Sequence, residues 1–417
     1  MAASAAGTVM GGATPAVTTR LALQARPATL ARKPGQPPVA IAELAAASPA
    51  GVVRLKRGDR CEVSFQNDLA VPVAPVWYGL DGGAAADPLR GRAPAPSGRN
   101  ETSIISIPNA GTLLADFRLF EDGLKLPARP LPIIVEETSR VAVDRDEILL
   151  IEEWRLQPDG TALPAGRDPK DATALFTLNG RTAFELSAAA GERLRLRFIN
   201  GSQRSVLAIK LENHEVRVMA MDGQPAEPFA ARNGALVLAP GARVDAFVDA
   251  ANSGDFLLHD AKDARRIGSL AISGKLQRAP LPRPQPLPSN DLPDQLDLKG
   301  ALRVDVTLGA VEAGWTRPAS FSASSPPCFR TKTGRTVVLA LKNPAPVATV
   351  FHLHGHHFRL LDRLDDGWKP YWLDTLAIEH GQTQRIAFAA TAPGRWLIES
   401  VATDWAAPRL VRWYGVE

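Results

Sequence analysis

Two cysteines in 417 residues are too few for a disulfide framework, and Cys61 and Cys328 form no CxxC pair of the kind a zinc module uses. They are expected to be two partly buried free thiols. No apolar run of about 18 residues or more occurs, so nothing reads as a membrane-spanning helix. Charge of one sign is scarce as well. The net charge is +4, and basic and acidic residues are interleaved, as in Lys56-Arg57-Gly58-Asp59-Arg60. That mixture reads as a solvated face rather than a nucleic-acid-binding stripe. Helical periodicity is missing too: no stretch keeps an amphipathic pattern over several turns. Residues 1–13 are small and apolar, yet no basic region precedes them as in a secretory signal. Ala3-Ser4-Ala5 does look like the small-residue end of a cleavage site. Two readings stay open, a start just downstream of an export signal or a loose cytosolic end. The first, with a periplasmic location, is the expectation.

The length suits two or three cores rather than one, and 45% hydrophobic with 22% charged residues is ordinary for a globular chain. One pattern recurs three times: a Gly, an alternating apolar run, then Asn nine residues after the Gly. The copies run from Gly58 to Asn67, from Gly191 to Asn200 and from Gly334 to Asn343. Period-two alternation bracketed by Gly and Asn marks a half-buried strand. A second pattern follows each copy, two glycines 13 residues apart: Gly98 and Gly111, Gly241 and Gly254, Gly381 and Gly394. The first pattern precedes the second by 40, 50 and 47 residues. Each unit is therefore expected to be an antiparallel sandwich of about 130–140 residues, with short strands and Gly/Pro turns. The stretch Ala279-Pro280-Leu281-Pro282-Arg283-Pro284-Gln285-Pro286-Leu287-Pro288 cannot pair as a regular strand and reads as a semi-rigid linker.

Four of the seven histidines fall in Phe351-His352-Leu353-His354-Gly355-His356-His357-Phe358. On one continuous strand, His352, His354 and His356 would share a face and His357 would point the other way. Imidazoles at i and i+2 on a strand can share a metal ion, although a lone pair of this kind is weak evidence.

This segment, followed by Trp372-Leu373-Asp374-Thr375 and Gly394-Arg395-Trp396-Leu397-Ile398, resembles the third domain of multicopper oxidases. Val76-Trp77-Tyr78-Gly79-Leu80-Asp81-Gly82 resembles the first-domain His-Trp-His-Gly segment, and Ala110-Gly111-Thr112 the start of Gly-Thr-Tyr-Trp-Tyr-His-x-His. Phe176-Thr177-Leu178-Asn179-Gly180 and Met221-Asp222-Gly223 resemble second-domain landmarks. The resemblance covers roughly residues 45–417. It implies an all-β chain of three tandem cupredoxin-like Greek-key β-sandwiches or barrels. Residues 1–45 are then an N-terminal extension, 46–140, 141–278 and 293–417 the three domains, and 279–292 the linker.

The family's copper ligands carry over poorly. First-domain histidine positions fall on Val76, Tyr78, Asp116 and Arg118. Thr349 stands at a mononuclear-site position, and the His-Cys-His strand falls on Glu399, Ser400 and Val401. Trp405 and Leu410 stand at the remaining mononuclear-site positions; His352 and His354 are kept. Blue copper needs a thiolate and two imidazoles, so laccase-type activity is expected to be absent. Copper is the cofactor that the family implies. The expectation here is no metal, or one ion held by His352, His354, Asp116 and Glu399. Arg118 is a competing ion-pair partner for either carboxylate. His356, His357, His214, His259 and His380 read as structural residues. Trp77, Trp372, Trp396 and Trp405 read as core and interface filler, with Trp405 plugging the mononuclear-copper cavity.

The leading reading is a copper-free scaffold or binding protein. Its partner would be an unnamed protein or small molecule, and nucleic acid is not expected. A metalloenzyme with a single-metal site at His352 and His354 is the alternative. A copper oxidase is disfavoured, because seven histidines fall short of the family's full ligand set.

Overall fold

The computed structural model describes residues 18–32, 35–47, 52–83, 87, 89, 94–259, 263–275, 279, 281–309, 313–322, 324–362 and 367–417. Strands dominate them, and the helical elements are short 3₁₀ turns such as Arg118–Gly123, Arg232–Gly234 and Pro318–Ser320. Three large apolar cores follow one another along the chain. The first runs from Leu21 to Val135, the second from Leu149 to Leu270, the third from Val306 to Val416. Each is enclosed between two sheets, which makes three tandem β-sandwiches of the expected all-β class.

The repeated sequence pattern has a structural cause. Its three copies become the strands Arg60–Asn67, Arg193–Asn200 and Thr336–Lys342. The Asn that ends each copy is fully buried and does one job three times. Its side-chain amide donates to two backbone carbonyls: Val71 and Ala95 from Asn67, Ser205 and Leu238 from Asn200, Val347 and Ile378 from Asn343. Its side-chain oxygen accepts the amide two residues on, at Leu69, Ser202 or Ala345. Its backbone carbonyl accepts the amide of the Gly that opens the second pattern, Gly98, Gly241 or Gly381. Buried carbonyls need such partners, so Asn and Gly are tied together in every unit.

Residues 19–30 and 39–45, expected within an N-terminal extension of 1–45, instead lie in strands of the first sandwich. Thr19–Leu30 runs parallel to Arg60–Asn67, with Leu21 beside Val63 and Leu23 beside Phe65, and pairs antiparallel with Val39–Ala46. Alternation places Leu21, Leu23 and Ala25 in the first core with Leu44. Burying each leucine stabilises the unit by roughly 1.5–3 kcal/mol. The other units open the same way, with Arg145–Leu156 parallel to Arg193–Asn200 and Leu302–Thr307 parallel to Thr336–Lys342. The small-residue stretch 1–13 lies outside the described residues.

Two sequence landmarks meet where the first and second sandwiches touch. A Cβ on Gly111 would lie 2.1 Å from the carbonyl oxygen of Gly223, and Gly111 has φ +137°. Only glycine allows these two backbones to approach so closely. The proline-rich connection is irregular over residues 281–290 and is fastened along its length. Arg193 donates to the Pro282 carbonyl at 2.7 Å, and Leu287 is buried beside Met219, Ala220 and Phe247. Asn290 exchanges two hydrogen bonds with the Ala110 backbone.

Candidate functional site

The strand Thr349–Leu353 lies between Thr375–Ile378 and Gly394–Ala402, all inside the third sandwich. Its register sets His352 opposite Glu399. The expected single strand through all four histidines does not form. It stops at Leu353, and Gly355 turns the chain at φ +76°, where a Cβ would lie 2.2 Å from the Trp396 ring. His356 therefore leaves the face shared by His352 and His354. It packs among Phe388, Trp396 and Tyr414, with Nδ1 2.7 Å from the Tyr414 hydroxyl.

Around His352 and His354 the side chains form a closed polar network. The Glu399 carboxylate meets His354 Nε2 at 2.6 Å, accepts the Tyr78 hydroxyl at 3.1 Å and is ion-paired to Arg409. Glu399 has no solvent exposure. Burial alone would raise its pKa, but Arg409 and the bond from His354 hold the carboxyl well below its usual range. The same contact acts on His354. Burial lowers its pKa, while the hydrogen bond and charge of Glu399 raise it by more, so the net direction is up. His352 goes the other way. Burial first, then Arg409 and His354, bring it down to about 3 against the pull of Glu399, which keeps the ring neutral. Its Nδ1 lies 2.9 Å from the Thr375 hydroxyl.

The Tyr78 ring stands between the histidines and the first sandwich, with centroids 5.0 Å from His352 and 5.4 Å from His354. Burial, then the Asp116 and Glu399 charges, raise its phenol well above the ordinary value. Asp116 is engaged elsewhere: its carboxylate meets Arg118 Nε at 2.5 Å, and Arg118 also donates to the carbonyls of Gly201 and Ser202. Glu399, His352 and His354 are thus brought together, while Asp116 is paired with Arg118. Among the described residues no three His, Cys, Asp or Glu side chains gather on a common point suited to a metal ion. Arg118 and Arg409 instead each take up a carboxylate.

The remaining positions are filled by packing. Val76 lies in an apolar cluster with Tyr78, Leu114 and Val411, and Val401 packs on Ala239 and Val350. Thr349 donates to Asn343 at 3.0 Å. Trp405 is buried, donates to the Pro164 carbonyl at 3.2 Å and lies under Arg155 at 5.4 Å. Both cysteines are free, Cys61 buried and Cys328 half-buried. Two participants were not legible as such from sequence, Arg409 as the partner of Glu399 and Tyr78 as its hydroxyl donor. Arg409 did carry a signal, because it directly precedes Leu410, the position that the resemblance assigns to the axial mononuclear-site ligand.

Two family models described as multicopper oxidase match this chain, one over residues 143–271 and one over residues 295–417. The multicopper oxidase MmcO of Mycobacterium tuberculosis is 25% identical over 420 residues, covering 84% of this chain and 78% of that protein. The crystal structure of a multi-copper oxidase from Pseudomonas thermotolerans superposes with a TM-score of 0.82 at 25% identity, covering 96% of this chain and 100% of that one. Lac15 from a marine microbial metagenome superposes with a TM-score of 0.75 at 25% identity, covering 95% and 100%.

Proposed function

Since the chain belongs to the multicopper oxidase family, we propose that it keeps the family's three-sandwich body as a scaffold or binding protein, without the family's oxidase chemistry. Its place of work under this reading is the periplasm; no helix among the described residues is long and apolar enough to cross a membrane. Under this reading the partner is a protein or a small molecule.

The observation that carries this reading is the closed coordination of Glu399 by Arg409, His354 and Tyr78. Copper does not fit that donor set. A blue site requires a thiolate and two imidazoles, and its positions hold Thr349, Ser400, Trp405 and Leu410. A cluster site would place cations beside two buried guanidiniums, Arg118 and Arg409, each ion-paired to a carboxylate. A cation brought beside them meets direct repulsion in a medium that screens poorly.

The test is metal content and absorption of protein purified with copper available. Less than one metal per chain and no thiolate-to-copper charge-transfer band are expected. One equivalent, lost on His352→Ala, would replace this reading with a single-metal site at His352 and His354. Three or more coppers with phenol oxidation would establish an oxidase.

A further inference from the structure

His357 takes no part in the Glu399 network. It is buried where the three sandwiches meet. Its Nδ1 lies 2.7 Å from a carboxylate oxygen of Asp81, in the first sandwich. Its Nε2 lies 2.9 Å from the backbone carbonyl of Asp222, in the second. A neutral imidazole carries a single N–H. Here both nitrogens face oxygens that can only accept, a carboxylate on one side and a carbonyl on the other. A bare lone pair on either nitrogen would be pressed against an oxygen lone pair. The Gln224 amide lies 3.4 Å from Nδ1, too long to compete with the Asp81 contact.

We propose that His357 is a charged keystone of the fold, an imidazolium whose two N–H bonds fasten the first and second sandwiches to the third, and whose deprotonation loosens that seam. This goes beyond the copper question and holds whichever reading of the Glu399 network is right.

The charged neighbours favour the cation. Asp81 is steadied by the Asn109 amide at 2.7 Å. Asp374, of the same sandwich as His357, puts an oxygen 4.0 Å from Nε2. Asp222 and Asp374 share the Arg243 guanidinium, at 3.8 Å and 2.7 Å. Adjacent His356 adds no opposing charge, because burial brings it down to about 4. For His357, burial lowers the pKa, but Asp81's charge and hydrogen bond, with Asp374 and the Asp222 carbonyl, raise it to about 9. A cavity of about 230 Å³, lined by Asp81, Asn109, His357 and Trp372 among others, gives solvent a route to the pair. The backbone crosses the same seam where the Gly82 amide donates to the Gly355 carbonyl at 3.0 Å.

The experiment is long-range ¹⁵N NMR of the imidazoles in the full chain from pH 6 to 10, with His357→Gln to assign the signal. Two protonated nitrogens at pH 7 and a titration midpoint near 9 are expected. Exchange of the Gly82 amide, corrected for its intrinsic pH dependence, should rise at least tenfold across that midpoint. Asp81→Asn serves if His357→Gln does not fold, and should move the midpoint below 8. One unprotonated nitrogen at pH 7, an unmoved midpoint in Asp81→Asn, or Gly82 exchange insensitive to the titration would each overturn the proposal.

Discussion

Replacing Arg409 with Met tests whether the network around Glu399 is a closed structural device. The substitution keeps a long, roughly isosteric stem and removes the guanidinium, leaving a fully buried carboxylate with only His354 and Tyr78. Removing one partner of a buried ion pair destabilises by about 3–5 kcal/mol, chiefly through the charge left uncompensated. For a unit of this size that lowers the melting transition of the third sandwich by roughly 10 °C or more. The double variant Arg409→Met with Glu399→Gln removes both charges, so it should recover much of the loss, whereas independent residues would simply add. Acid sharpens the test. Because folding holds the Glu399 carboxyl well below 4.5, its contribution is present above that value and lost as pH falls through the folded one. In Arg409→Met the charge that lowers this carboxyl is gone while burial still raises it. The variant therefore takes up the proton at higher pH than the native chain, and its defect should shrink on acidification. Calorimetry at pH 7 and pH 5 reads both effects. A single-variant loss under about 1 kcal/mol, or strict additivity in the double variant, would show that Arg409 and Glu399 are not energetically coupled.

Other perturbations probe the rest of the molecule. The His357 imidazole rises from 6.5 to about 9 on folding, so it contributes stability that is full below about 6.5 and lost as pH climbs through about 9. That contribution is about 3 kcal/mol, and urea unfolding between pH 6 and 10 should show it in the native chain and not in His357→Gln. Asn343→Ala strips one buried and one half-buried carbonyl of their donor, and chemical denaturation should record a loss of about 2–4 kcal/mol. Gly355→Ala combines a left-handed backbone with a 2.2 Å overlap on Trp396. It should destabilise by more than the roughly 1–3 kcal/mol of backbone strain alone, visible as a fall in melting temperature.

The repeats were legible because each carries a backbone task. Asn67, Asn200 and Asn343 bind the same set of carbonyls and amides, so the same residue recurs at the same distance from its Gly. The opening strand of the first sandwich was harder to see. Its parallel partner strand lies just over forty residues on, and Pro27 together with the prolines before Val39 disguises the alternation of Leu21, Leu23 and Ala25. Within the candidate site, the pairing of His352 with Glu399 followed from strand register. Arg409 did not, because it acts from the neighbouring strand Arg409–Val416 across a turn, and nothing local in sequence links it to Glu399. The fates of His356 and His357 turned on one glycine. Gly355 reads as part of a strand motif in sequence, yet its positive φ ends the strand and sends the two rings into different surroundings.

The side chains at the positions that the resemblance assigns to copper ligands do not suit copper. Absorption spectroscopy together with metal counting, on protein expressed and purified with copper in excess, tests this directly. A colourless protein with less than one metal ion per chain is expected. An intense sulfur-to-copper absorption, or several tightly held coppers, would contradict it.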